Sequence, residues 1–243
     1  MQNLVEGKQV VILGGASGIG LAVASLSAEM GAKVTLLGRS PEKLHTARES
    51  IGHDADARVL DMLDEAAVNR VFRQLPSVDH LVLTAAADEN ANRAPFQQLD
   101  TARAQHSFSK FWGYFFVSRA AAGRIAKDGT ITLFSGESAF KPPKEGMSVL
   151  SAVNGAVATF ARALAAELAP VRVNAISPGI VNTGVWGEEQ SKPRDEQRSW
   201  AETTLPTRRM GQPEDVAQAV LYLMTNPYTT GTVLHVDGGL SLI

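Results

Sequence analysis

Six short runs of branched and long apolar residues punctuate the chain: VVIL from Val10, VTLL from Val34, LVL from Leu81, ITLF from Ile131, VRVNAI from Val171 and TVLHV from Thr232. Most are continuously apolar rather than alternating, so the strands they predict lack a solvent face. Arg58 to Asp61 supplies a further, shorter candidate strand. Between these runs lie segments whose apolar positions recur with helical period, the longest from Leu150 to Pro170. Buried strands alternating with helices are the pattern of a parallel sheet covered on both faces. The predicted fold is therefore α/β, a doubly wound seven-stranded parallel sheet with helices on both faces. A chain of 243 residues suits one such domain over residues 1–243. In sheets of this kind ligands bind beyond the carboxyl ends of the strands, where the strand order reverses.

One polar stretch, Gly184 to Thr204, breaks the rhythm late in the chain. It reads either as a lid over a cleft or as an ordinary surface excursion, with Trp186 and Trp200 closing the cleft in the first case and anchoring the loop in the second. Composition narrows the function classes. A formal net charge of -2 with no dense Lys/Arg run offers no electrostatic footprint for nucleic acid or anionic membrane, and KPPK at Lys141 to Lys144 reads as a solvated loop. The chain has no cysteine, hence no disulfide framework, thiolate metal site or thiol nucleophile. Its histidines (His45, His53, His80, His106, His235) are scattered without metal-ligand spacing or carboxylate company, so no metal is expected. No run reaches the ~18 apolar residues of a membrane span, and the first residues carry only a strand-length apolar run rather than a signal peptide. The expected location is the cytoplasm.

Directly after the first strand comes GGASGIG, Gly14 to Gly20, opening into a helix. Backbone N–H groups and the positive end of the helix dipole at such a mouth hold a pyrophosphate, and glycines let the backbones approach closely. Strand, turn and helix in that order make Gly14, Ser17, Gly18, Ile19 and Gly20 a dinucleotide cradle, and the fold a single-domain Rossmann type. The end of the second strand selects the cofactor. NAD sites place a carboxylate there for the ribose 2'-hydroxyl, whereas this chain reads LLGRS. The Arg39 guanidinium matches a 2'-phosphate, with Ser17 and Ser40 as hydroxyl donors, so NADP(H) is expected.

With these residues in hand the chain resembles the short-chain dehydrogenase/reductases over nearly its whole length. Gly14, Gly18 and Gly20 fit that family's glycine motif, and Asp61 fits its adenine-contacting acid, with Met62 beside it. Ala85 lies where the strand-four loop meets the cofactor. ISPGIVNTG, with Pro178, Gly179, Val181 and Thr183, fits the segment holding the nicotinamide carboxamide. RMGQPEDVA from Arg209 and TGTVLHVDGG from Thr230 match the C-terminal signature. The resemblance implies NADPH as a partner, a small-molecule substrate that the sequence leaves unidentified, and a homodimer or homotetramer built on the two long helices.

The same resemblance exposes what is missing. In the family a Tyr moves the proton at the substrate oxygen, and a Lys four residues later lowers the phenol pKa and holds the nicotinamide ribose. Here Leu150 occupies the Tyr position and is inert, and Asn154 occupies the Lys position. The family's serine pair becomes Ser135 and Gly136, leaving Ser138 farther on, and Lys110 stands where an Asn normally anchors a water relay. The Asn-Asn-Ala-Gly pattern after the fourth strand reads Leu83, Thr84, Ala85, Ala86. Losing positioned acid–base help forfeits about 100- to 10,000-fold in rate. The candidate catalytic residues are thus Ser138, Lys110 and Asn154, with Lys110 and Glu137 expected to neutralise one another in the site. Tyr114, one turn after Lys110, is expected at a subunit interface. The implied function is binding of reduced NADP with little or no ordinary carbonyl reductase activity. The alternative is an active NADPH-dependent oxidoreductase using Ser138, Lys110 or water as acid on a quinone or conjugated acceptor.

Overall fold

A computed structural model describes residues 4–52, 55–85 and 93–243; His53 and Ala86 lie outside them. Among the described residues the strands are β1 (Gln9–Leu13), β2 (Lys33–Gly38), β3 (Asp56–Val59), β4 (Val78–Leu83), β5 (Ile125–Phe134), β6 (Arg172–Pro178) and β7 (Val233–Val236). The helices are α1 (Gly18–Glu29), α2 (Pro41–Ile51), α3 (Glu65–Gln74), α4 (Thr101–Ser107), α5 (Ser109–Ala122), α6 (Ser148–Glu167), α7 (Lys192–Thr204) and α8 (Pro213–Thr225). The strands form one parallel sheet in the order β3-β2-β1-β4-β5-β6-β7. The order reverses between β1 and β4, which places the expected ligand crevice at their carboxyl ends.

The absence of alternation in the strands now has a physical account. Val10, Ile12, Val34, Leu36 and Val82 face α1 and α8, whereas Val11, Leu13, Leu81, Leu83, Ile131 and Val173 face α3, α5 and α6. Both sides of each central strand are dry, and each buried branched residue contributes about 1.5–3 kcal/mol. The edge strand β3 has one neighbour and is correspondingly polar, ending at Val59 so that Asp61 lies beyond it.

Helix starts follow local chemistry. Ser40, Asp64 and Asp100 accept from Lys43 N, Ala67 N and Arg103 N and so cap α2, α3 and α4. Pro213 opens α8 behind a capping box of Gln212 and Asp215, and Arg209 grips Asp215 through two bonds of 2.6 and 2.8 Å. The Arg209 bonds hold the Asp215 carboxyl below its ordinary range against the opposing push of burial. Helix α6 is long and apolar enough to cross a membrane by length and composition alone. Here Leu150, Val153, Val157 and Ala161 are buried, and the helix packs on β5 and β6 as a core helix.

The polar stretch after β6 folds as a 3₁₀ turn, Gly184–Trp186, followed by α7. Ala201, Leu205 and Met210 form a small apolar cluster against which Trp186 packs. Trp186 Nε1 donates to Val181 O at 2.9 Å, and Arg194 Nε donates to Asn182 Oδ1 at 2.7 Å. Trp186 therefore anchors this segment to the segment after β6, whereas Trp200 stays 38% exposed.

Candidate functional site

The glycine turn is built around close backbone contacts. Gly14 and Gly18 have φ of 85° and 53°, where side chains are strained. A Cβ at Gly20 would sit 2.2 Å from Gly14 O and 2.6 Å from Thr84 Oγ1. Thr84 Oγ1 and the backbone N–H of Ala85 both donate to Leu13 O, pinning the β4 loop over the turn. Ser17 is the N-cap of α1 but makes no side-chain cap, so the first-turn amides are left facing the crevice without a capping side chain. Ile19 lies partly buried against the α1 core. From the other side, the Thr183 methyl comes within 3.4 Å of the Cβ position of Gly18. Gly179 is more tightly enclosed, its Cβ position 2.6 Å from Asp237 Cα. An uncapped helix mouth lined by glycines fits a pyrophosphate.

The remaining cofactor candidates lie at or beyond the carboxyl ends of β2, β3 and β6. Arg39 follows β2, exposed and without an ion pair among the described residues. Ser40 beside it uses its oxygen to cap α2, which leaves its hydrogen to donate. Asp61 is exposed just past β3, its Oδ1 accepting from Leu63 N at 2.9 Å. The Met62 side chain does not reach the crevice: it is 8% exposed and packs on Gly113, so only its backbone is available there. Pro178 ends β6 and Val181 is buried, pairing with Gly211.

Beyond the end of β5 the structure joins three of the residues singled out in the sequence. Lys110 on α5 and Asn154 on α6 are buried, at 5% and 4% exposure. Lys110 Nζ donates to Asn154 Oδ1 at 2.8 Å and to Ser135 O at 3.3 Å, and Asn154 Nδ2 donates to Ser138 Oγ at 3.1 Å. Leu150, one turn before Asn154, is buried at the start of α6.

Two expectations are corrected. Lys110 and Glu137 do not pair: Lys110 Nζ bonds Asn154 Oδ1 and Ser135 O, and the Glu137 carboxylate meets His235 Nδ1 at 2.6 Å, across β6. His235 therefore has the carboxylate company that the sequence hid, because its partner lies 98 residues away. Among the described residues no cluster able to hold a metal occurs. Tyr114 is not at a surface either: it is fully buried among Leu83, Val117 and Leu133, and the outward side of α5 carries Trp112 instead. A 14-residue helix against a sheet turns every third or fourth residue inward, and Lys110, Gly113, Tyr114 and Val117 keep that spacing. The sequence reading missed the role of Gly136, whose Cβ position lies 2.7 Å from Asn154 Nδ2. It also missed the bond from Ser135 Oγ to Asn154 O, 2.8 Å. A glycine replacing the second serine of a pair was the one visible signal.

A parallel doubly wound sheet with a glycine-lined helix mouth at its reversal point defines the Rossmann class of folds. The family model described as enoyl-(acyl carrier protein) reductase matches residues 14–241. The chain is 31% identical over 257 residues to the short-chain dehydrogenase/reductase ATR9 of Stachybotrys chlorohalonatus, covering 97% of each chain. It is 32% identical over 250 residues to a human 3-oxoacyl-[acyl-carrier-protein] reductase, covering 97% of this chain and 99% of that one. Among solved structures, the MalC reductase/Diels-Alderase of Malbranchea aurantiaca superposes with a TM-score of 0.90 at 29% identity over 100% and 99% of the two chains. A small-chain dehydrogenase in complex with NADPH gives 0.80 at 30% identity, over 98% and 100%. A short-chain oxidoreductase from Pseudomonas aeruginosa described as containing an atypical catalytic center gives 0.85 at 29%, over 97% and 98%. The chain belongs to the short-chain dehydrogenase/reductase family.

Proposed function

We propose that this protein binds NADP(H) in the crevice above β1 and β4 and has little or no ordinary carbonyl reductase activity. The observation that carries this reading is Leu150, a buried aliphatic side chain in the first turn of α6, where the family's proton donor is expected. The uncapped mouth of α1 and the close contacts at Gly14, Gly18 and Gly20 support the pyrophosphate site, and exposed Arg39 supports the 2'-phosphate. The NADPH complex of a relative with the same fold is in keeping with this choice. Bound there, NADPH would supply a hydride donor, with the amides at the mouth of α1 holding its pyrophosphate and Arg39 its 2'-phosphate.

Blue emission of NADPH is expected to rise on mixing, as a dry pocket shields the dihydronicotinamide from quenching, with no reduction of simple ketones above background. Ketone-dependent NADPH oxidation at 1 s⁻¹ or faster, in the ordinary range on the order of 1–1,000 s⁻¹, would sink the inactivity. Absence of emission change together with absence of heat on titration would sink the binding. For the cofactor choice, Arg39→Ala is expected to weaken NADPH about 10- to 100-fold, the worth of roughly 1.5–3 kcal/mol in bonds to a charged group, while NADH is unchanged. Equal losses for both cofactors, followed by fluorescence, would assign Arg39 a different role.

The Asn154–Ser138 hydrogen bond favours a second reading, an NADPH-dependent oxidoreductase acting on a quinone or conjugated acceptor whose oxygen meets Ser138. The relative carrying an atypical catalytic center makes a non-standard donor a reasonable design for this fold. Self-association as a homodimer or homotetramer through α5 and α6 belongs to the same proposal, with the outward aromatic group of Phe111, Trp112, Phe115 and Phe116 on α5 in its support.

A further inference from the structure

The three polar side chains beyond β5 are joined so that their hydrogen bonds run in one direction only. An ammonium donates and never accepts, so the end of Asn154 that lies 2.8 Å from Lys110 Nζ is the amide oxygen. The other end is then the amide nitrogen, which only donates, and it lies 3.1 Å from Ser138 Oγ. Ser138 is consequently the acceptor in this chain, and its own proton points away from Asn154. Ser138 is half-buried, and among the described residues that proton meets no acceptor. The arrangement is held from behind: Lys110 Nζ also reaches Ser135 O, and Ser135 Oγ holds the backbone carbonyl of Asn154. Gly136 is the opening that lets the amide through, because any Cβ there would lie 2.7 Å from Asn154 Nδ2.

We infer that Lys110 and Asn154 are positioning residues that hold Ser138 as a one-way hydrogen-bond donor towards a ligand oxygen, with Gly136 as the space they require. In a low-dielectric site each bond polarises the next, so the buried cation makes the Ser138 proton a stronger donor than that of a free serine. The ligand class that follows carries an oxygen that can accept, as in a ketone or quinone, rather than an apolar group or an ammonium, which has no lone pair to offer. This deepens the reading in which Ser138 meets the substrate oxygen and rests on it.

The absence of cysteine from the chain supplies a probe that needs neither cofactor nor turnover. Ser138→Cys puts a single thiol on the same hydrogen bond, and a thiol of ordinary pKa about 8.5 is lowered when a donor and a cation stabilise its thiolate. The pH midpoint of iodoacetamide alkylation in S138C is expected about one unit below that of a cysteine peptide, with alkylation at pH 7 about tenfold faster than in S138C/K110M. K110R in the same background should keep the low midpoint. G136A, which displaces the amide without touching the ammonium, should raise it, and melting curves check that each variant is folded. Equal midpoints in S138C, S138C/K110M and S138C/G136A would overturn the positioning roles even if NADPH binds normally. For the ligand class, NMR line broadening with the unsubstituted protein should show cyclohexanone bound more tightly than methylenecyclohexane, which has the same shape and no accepting oxygen, a difference lost in S138A. Equal affinities, or no binding of either probe, would overturn the ligand class.

Discussion

Gly20→Ala is expected to abolish tight NADPH binding and to lower stability by about 3 kcal/mol, the upper end of the usual cost of forcing a methyl group into a packed site. The new Cβ would lie 2.2 Å from Gly14 O and 2.8 Å from Gly14 C, and both are backbone atoms with no rotamer to escape into. The turn at Gly14 must then move, and with it the amides at the mouth of α1. A displacement of that kind is expected to weaken NADPH at least about 100-fold, close to 2.7 kcal/mol. Urea unfolding and fluorescence titration measure the two losses, and wild-type values in both would show that the turn yields without cost.

Acidification gives the second large effect. His80 on β4 lies between Val10 and Thr130, 5% exposed, with Nδ1 2.9 Å from Thr130 Oγ1. Burial pushes its pKa down to about 4, with Lys8 and Arg172 adding to the push against Asp79 and Asp128. The unfolded chain takes up this proton near pH 6.5, whereas the folded one resists it until about pH 4. The stabilisation from keeping His80 neutral is therefore complete above pH 6.5 and lost as pH falls from 6.5 towards 4, by about 3 kcal/mol. Carboxylates add their own acid dependence, so the contribution is read as a difference. Urea unfolding of wild type and His80→Asn at pH 7.5 and 4.5 should show a smaller acid loss in the variant, and parallel losses would refute the assignment.

Much of the architecture was legible before any coordinates. Continuous apolar runs at Val10, Val34 and Ile131 identified strands buried on both faces, and the glycine turn after the first of them located the crevice. Element ends were less legible. The strand expected from Arg58 stops at Val59, and the one expected from Ile131 begins at Ile125, because edge positions and bulges are settled by neighbouring strands rather than by the run itself. The substitutions at Leu150, Asn154, Gly136 and Lys110 were visible as departures, but not as a connected set. Lys110 looked like a cation in search of a carboxylate, since sequence separation carries no information on which of two acidic or amide groups a folded chain brings near.

The order of residues alone determined the sheet, the glycine turn before α1 and the chemical identities available beyond β5, because periodicity and turn chemistry act over a few neighbouring positions. Only the tertiary structure decided that Lys110 bonds Asn154 rather than Glu137, that Glu137 serves His235, and that Tyr114 is interior. Those outcomes depend on the rotation of α5 and α6 about their axes as both pack on one sheet face. That rotation minimises exposed apolar area over the whole layer, a quantity no local stretch of sequence contains.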